Sequence, residues 1–131
     1  YTMLVDDAKY VKTTLATIED MKSMGWKNFK VKNTWGPDSG YKGVNTAWAN
    51  EHGQYVELQF HTRVSFKVKM DQAHKIYEEY RLIGTTQARK KQLDATLVNI
   101  YKNVPEPTGW NQINKLNTFK EYLNDLGIEL I

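Results

Sequence analysis

The run Tyr55-Val56-Glu57-Leu58-Gln59-Phe60-His61-Thr62 constrains the fold more than any other segment, because it alternates strictly between apolar and polar residues. In an extended chain successive side chains point to opposite faces. Val56, Leu58 and Phe60 therefore belong on one face, and Tyr55, Glu57, Gln59 and His61 on the other. One face meets a core; the other presents a row of polar groups. Upstream, Val44-Asn45-Thr46-Ala47-Trp48 reads as the partner strand, and in Asn50-Glu51-His52-Gly53 between them glycine supplies the positive φ of a tight turn. The two runs predict a β-hairpin.

Around that hairpin the periodicity changes. Tyr1 to Val5 is strand-like, and Asp6 and Asp7 can cap a helix with Val11, Leu15 and Ile18 on one face, stopped near Gly25. Phe29 and Val31 alternate with Lys30 and Lys32 as a short strand, before the turn-rich loop Trp35-Gly36-Pro37-Asp38-Ser39-Gly40. From Ser65, the residues Phe66, Met70, Ala73, Tyr77 and Tyr80 repeat at helical spacing to about Arg81. A further helix carries Leu93, Leu97 and Ile100, and Pro105-Glu106-Pro107-Thr108-Gly109 breaks it. Ile113, Leu116, Phe119, Leu123 and Leu126 mark a last amphipathic helix ending near Gly127. This order predicts an α+β protein: a small mixed or antiparallel sheet with a central hairpin, covered by helices.

A chain of 131 residues fits one domain, divided between a sheet core that holds the site (1–81) and C-terminal helices (82–131). With 40% hydrophobic and 12% aromatic residues, it has the composition of a folded protein. No apolar run approaches the roughly 18 residues of a membrane helix, so no membrane partner is expected. Cysteine is absent, which excludes disulfides, thiolate catalysis and cysteine-ligated metal sites. The net charge of +3 suits a phosphate-bearing ligand but is too small for a specific nucleic-acid binder. His52, His61 and His74 fall in a turn, a strand end and a helix, without metal-ligand spacing. Lys67, Lys69 and Lys75, with Arg89, Lys90 and Lys91, can touch phosphates, although charge runs usually mark a solvated face.

The polar strand face gains meaning from the loop Gly40-Tyr41-Lys42-Gly43. A tyrosine between glycines can serve as a stacking platform, and a neighbouring lysine can meet phosphate. A carboxylate opposite such a loop can bind Mg²⁺ or take a hydroxyl proton.

Gly40-Tyr41-Lys42-Gly43-Val44-Asn45, then Val56-Glu57-Leu58-Gln59-Phe60-His61-Thr62, then Ala73-His74-Lys75-Ile76-Tyr77 resemble the RelA/SpoT-type alarmone synthetase domain, a nucleotide pyrophosphokinase. The Gln-Phe-His-Thr version and the Pro-Glu-Pro segment are more similar to the divergent branch of bacterial toxins and phage-associated proteins than to the housekeeping enzymes. The resemblance runs from Tyr1 to about Arg81, with a weaker echo to Gly109. It implies a nucleotidyltransferase-like synthetase fold and transfer of pyrophosphate from ATP to the 3′-hydroxyl of a purine nucleotide. Carried onto this chain, it makes Tyr41 the platform for the acceptor base and Glu57 the Mg²⁺ ligand or the base for the 3′-hydroxyl. Gln59 positions that site, His61 and Lys42 sit near acceptor phosphates, and Asn45 and His74 complete the binding residues. A cytoplasmic site of action follows, with secretion as part of a larger bacterial protein and an immunity or antitoxin protein as partner.

In that family an Asp that ligates Mg²⁺ and an Arg precede the strand corresponding to Tyr1-Thr2-Met3-Leu4-Val5, and here the chain opens inside that strand. It is read as a fragment that holds the acceptor side. The alternative is a catalytically incomplete nucleotide-binding or protein-interaction domain. ADP-ribosyl transfer fits poorly, because Glu57-x-Gln59 stands inside a strand in the reverse order of that chemistry's motif.

Overall fold

A computed structural model describes residues 1–113 and 127–129 of the chain. Four strands form its sheet: β1 (Thr2–Leu4), β2 (Lys27–Asn33), β3 (Val44–Ala49) and β4 (Tyr55–His61). They lie in the order β1-β4-β3-β2, with β1 parallel to β4 and the other neighbours antiparallel. The sheet is therefore mixed and the class α+β, as the order of elements predicts. The β3–β4 hairpin closes at Ala49 opposite Tyr55, and Gly53 takes φ +76° in its turn.

The register Val44–Phe60, Thr46–Leu58, Trp48–Val56 sends these side chains to one face, joined there by Val31. Two polar atoms inside this core are satisfied in series: Trp48 Nε1 donates to Thr46 Oγ1 (2.8 Å), whose hydroxyl donates to the Leu58 carbonyl (2.7 Å). Helix α1 (Tyr10–Ser23) packs on the same core through Tyr10, Thr14 and Ile18. That stripe is rotated by one residue from the Val11, Leu15, Ile18 face expected from hydrophobicity, and Leu15 is exposed. The reason is Tyr10: its hydroxyl donates to the Phe60 carbonyl and its ring meets Trp35 edge-on at 5.4 Å, which fixes the helix rotation. The Asp6 side chain makes no capping bond; a 3₁₀ turn at Asp7–Lys9 leads into α1. Gly25, at φ +92°, ends it.

A bulge between Asn28 and Lys30 separates Phe29 from Val31. Val31 enters the core, whereas Phe29 packs against Tyr55, on the side of Glu57. The helix expected from Ser65 to Arg81 is one continuous stretch in three parts: α2 (Arg63–Val68), a π-helical turn (Lys69–Ala73) and α3 (His74–Arg81). Thr62 and Ser65 cap its start reciprocally. The wider π turn shifts the helical phase, so Ala73 is buried while Met70, expected inside, is half exposed. Helix α4 (Gln87–Tyr101) starts at the Thr86 cap and buries Leu93, Leu97 and Tyr101. After it, Asn33 Nδ2 donates to the carbonyls of Trp110 (2.8 Å) and Ile113 (3.0 Å). The amphipathic helix expected from Ile113 to Leu126 lies, apart from Ile113, outside the described residues. Among the described residues no helix is long and apolar enough to cross a membrane.

Candidate functional site

The sheet face opposite α1 carries Lys32, Asn45 and Gln59 side by side, because Lys32 pairs with Asn45 and Asn45 with Gln59 across three strands. Over this row stand Tyr41 from the glycine-flanked turn, and Lys69, Tyr77 and Arg81 from the α2–α3 stretch. Together with Thr34 they line a cleft of about 250 Å³. Three of the lining side chains are cationic and none is a carboxylate. Such a cleft favours an anion.

Tyr41 is its centre. The hydroxyl lies 3.0 Å from Asn45 Oδ1, 2.9 Å from His61 Nε2 and 3.4 Å from Gln59 Oε1, and the Lys69 ammonium stands over the ring at 5.7 Å. Burial holds the phenol well above its ordinary pKa, so it stays neutral. Tyr77 braces the turn, donating from its hydroxyl to the Gly40 carbonyl (2.7 Å).

His61 is fully buried. Its Nδ1 meets Ser65 Oγ at 3.0 Å and its Nε2 meets the Tyr41 hydroxyl, so the imidazole links the start of α2 to the cleft. Gly43 makes room for it: a Cβ there would lie 2.7 Å from His61 Cε1. Burial, with the nearby Lys69 ammonium, pushes the His61 pKa down from 6.5 to about 4. The ring is thus neutral and anchors Tyr41, rather than standing as a cation beside phosphate. An unfolded chain takes up this proton near pH 6.5 and the folded one only near 4. Between those values acid favours unfolding, by about 1.4 kcal/mol per pH unit. Urea titrations should show stability falling as pH drops through this window, with an NMR midpoint for the His61 Cε1 proton near 4; a midpoint near 6.5 would contradict the buried neutral ring.

The other expected site residues separate. Lys42 turns inward: its side chain is 2% exposed and its Nζ lies 3.1 Å from Glu106 Oε1, in the Pro-Glu-Pro segment. Glu57 shares the face of Gln59, opposite Ala47, but stands outside the cleft lining, exposed and accepting from the Tyr55 hydroxyl (2.7 Å). His74 lies on the exposed side of α3, its Nε2 2.9 Å from Glu78 Oε1, and does not line the cleft. Tyr41, Asn45, Gln59 and His61 are therefore brought together; Lys42, Glu57 and His74 are not part of that cluster.

Of the cations that line the cleft, the sequence offers Lys69 only as one of several lysines able to touch phosphate, and Lys32 and Arg81, like Tyr77, are not among the expected site residues. Lys32 is legible from its strand position; Lys69 and Arg81 depend on the π turn for their phase. Glu57 is the one acidic residue in the four strands, and among the described residues no three His, Asp or Glu side chains gather as a metal site. Glu57 is thus the one strand carboxylate from which a divalent cation could take a protein oxygen, and it stands outside the cleft lining. Compared with protein-family models, curated proteins and solved structures, the chain matches no family model, no curated protein and no solved structure.

Proposed function

We propose that this chain is the acceptor side of a nucleotide 3′-pyrophosphokinase of the RelA/SpoT-like kind, with the nucleotidyltransferase-like synthetase fold of that family. One observation carries the reading: the Gly-Tyr turn and the Glu-x-Gln strand, 18 residues apart, converge at Tyr41 and Gln59 in a cleft whose charged lining is entirely cationic. In this reading the Tyr41 ring stacks on the base of a purine nucleotide. Lys32 and Arg81 hold phosphate oxygens, while the Lys69 ammonium is engaged by the Gln59 side chain. Glu57 accepts the proton of the 3′-hydroxyl as its oxygen bonds to the β-phosphorus of ATP, and the bond from that phosphorus to the α-phosphate oxygen breaks to release AMP. When bound, Mg²⁺ supplies charge neutralisation for the transferring group. An immunity or antitoxin partner, and delivery to a target cytoplasm by a larger secreted protein, belong to the same proposal.

A second reading keeps the pocket without the reaction. The single carboxylate on the sheet face favours it: a nucleotide-binding or protein-interaction domain needs no more.

Labelled ATP and Mg²⁺ with GDP, GTP, ADP or ATP as acceptor, incubated with the chain and in parallel with the longest natural protein that contains it, separates the two. AMP plus a 3′-pyrophosphorylated product is expected; binding without either product would leave the second reading standing. Tyr41→Ala should weaken nucleotide binding by about 1–3 kcal/mol, the usual worth of a base-stacking aromatic. Tyr41→Phe, which keeps the ring and loses only the hydroxyl, should lose less. Calorimetry would refute the stacking role if Tyr41→Ala bound like wild type.

A further inference from the structure

Gln59 is the one amide in the cleft whose orientation chemistry fixes. Lys69 Nζ lies 2.8 Å from its side-chain oxygen, and an ammonium has only protons to offer. The amide must therefore turn its oxygen to Lys69, whichever way the two atoms would otherwise be assigned. The Tyr41 hydroxyl lies on the same oxygen side, at 3.4 Å. The NH₂ group is left without a partner among the described residues, on a half-buried side chain that lines the cleft.

Lys69 reaches this position from an unusual piece of backbone. It is the first residue of the π-helical turn, and it is half-buried beside buried Ala73 instead of joining the exposed Lys67. Single π turns within α-helices concentrate at functional sites. Burial and the Arg81 guanidinium also lower the Lys69 pKa, the mark of an ammonium held among low-dielectric surroundings and other cations.

We infer that Lys69 is a positioning residue that locks the Gln59 amide with its NH₂ as the group offered to a ligand, so that the cleft reads an oxygen acceptor at that point. The oxygen can belong to a phosphate or to the sugar or base of a nucleotide; the shared requirement is a lone pair. A cleft built this way discriminates by polarity as well as by charge. Gln59→Glu is the informative change, because a carboxylate keeps the bonds from Lys69 and Tyr41 but presents an acceptor where the ligand also has one. The ligand half of this inference rests on the nucleotide reading; the amide half does not.

The test uses the full chain, labelled with ¹⁵N, and GDP, GTP, ADP and ATP as probes. Without ligand, Lys69→Met should move the Gln59 side-chain amide resonances, and Lys69→Arg should return them toward the wild-type positions. Unmoved resonances in a folded Lys69→Met protein would overturn the positioning role. With ligand, Gln59→Glu should weaken binding of the best probe about tenfold or more; wild-type affinity would overturn the donor assignment. Inorganic pyrophosphate, titrated beside the nucleotides, separates the sources: a matching loss assigns the oxygen to phosphate, and a loss confined to nucleotides assigns it to sugar or base. Lys69→Met combined with Gln59→Leu should lose no more than the worse single variant, because both cut one arrangement. Additive losses would make Lys69 a simple charge and sink the inference. A wild-type chain that binds none of the four nucleotides overturns the ligand half together with the proposed function, and the amide resonances still judge the other half.

Discussion

Glu57→Gln should cut pyrophosphoryl transfer by about 10²–10⁴-fold, the range that a positioned general base contributes, while leaving the fold intact. The substitution removes a charge and a proton acceptor with almost no change of shape. It falls on an exposed side chain whose recorded side-chain partner is the Tyr55 hydroxyl, which an amide oxygen can also accept from. Surface changes of that kind rarely move stability by more than about 0.5 kcal/mol. The measurement is release of labelled AMP at saturating acceptor, with the unfolding midpoint followed in parallel. Transfer at the wild-type rate in Glu57→Gln would remove Glu57 from the chemistry. Equal loss of rate and stability would make it a structural residue. Tyr55→Phe serves as control: it removes the hydroxyl that contacts the carboxylate, and should alter the rate far less than loss of the carboxylate itself.

The second large effect concerns Lys42 and Glu106, and its sign is asymmetric. The ammonium is 2% exposed and the carboxylate 24% exposed, at 3.1 Å. Removing one partner of a buried pair strands the other, and the penalty scales with how far the survivor is kept from water. Glu106→Gln strands the buried cation and should destabilise the protein by about 3 kcal/mol. Lys42→Met replaces that cation with an apolar chain of similar length and leaves a carboxylate that water can reach, so it should be clearly milder. Chemical denaturation of both variants tests the order. A Lys42→Met protein less stable than Glu106→Gln would mean that Lys42 is needed for its own contacts and not as a partner.

Much of the sheet was legible because its signals are local. Strict alternation from Tyr55 to His61 and the glycine at 53 suffice for the hairpin, and both survive in the structure. Helix α1 was legible as a helix but not in its rotation. Apolarity ranks Leu15 above Thr14, whereas the tyrosine hydroxyl at position 10 has a buried carbonyl to reach, and that bond sets the face. The bulge near Asn28 and the π turn at Lys69–Ala73 each insert a phase slip, and a periodic reading carries the wrong face past it. Phe29 and Met70 were misplaced for this reason.

The candidate site divides the same way. Tyr41, Asn45 and Gln59 were readable because a turn and two paired strands fix them by register. The fate of the lysines was not, since a lysine's role depends on which distant group it meets. Lys42 finds Glu106 at a separation of 64 residues and is consumed in the interior. Lys69, one of many helical cations in the sequence, meets Gln59 and becomes part of the cleft. His61 looked like a surface member of the polar row and is enclosed, because Gly43 admits its ring and Ser65 holds its far nitrogen.

The Gly-Tyr turn has a further consequence for how the chain can be cut. Its backbone is held by Tyr77, which bonds in turn to Tyr101 (3.2 Å), and Gly40 abuts Leu97; Lys42 closes on Glu106, and Asn33 on Trp110 and Ile113. Each tie joins the strand-bearing half to a segment beyond residue 90. A recombinant piece ending at residue 81 would carry the cleft's lining residues yet expose Leu97's contact, leave the Lys42 charge unanswered and lose the clamp on Asn33. The smallest autonomous unit around this cleft therefore extends at least to Ile113, and a protease nick in the Pro105–Gly109 segment would be felt at Tyr41.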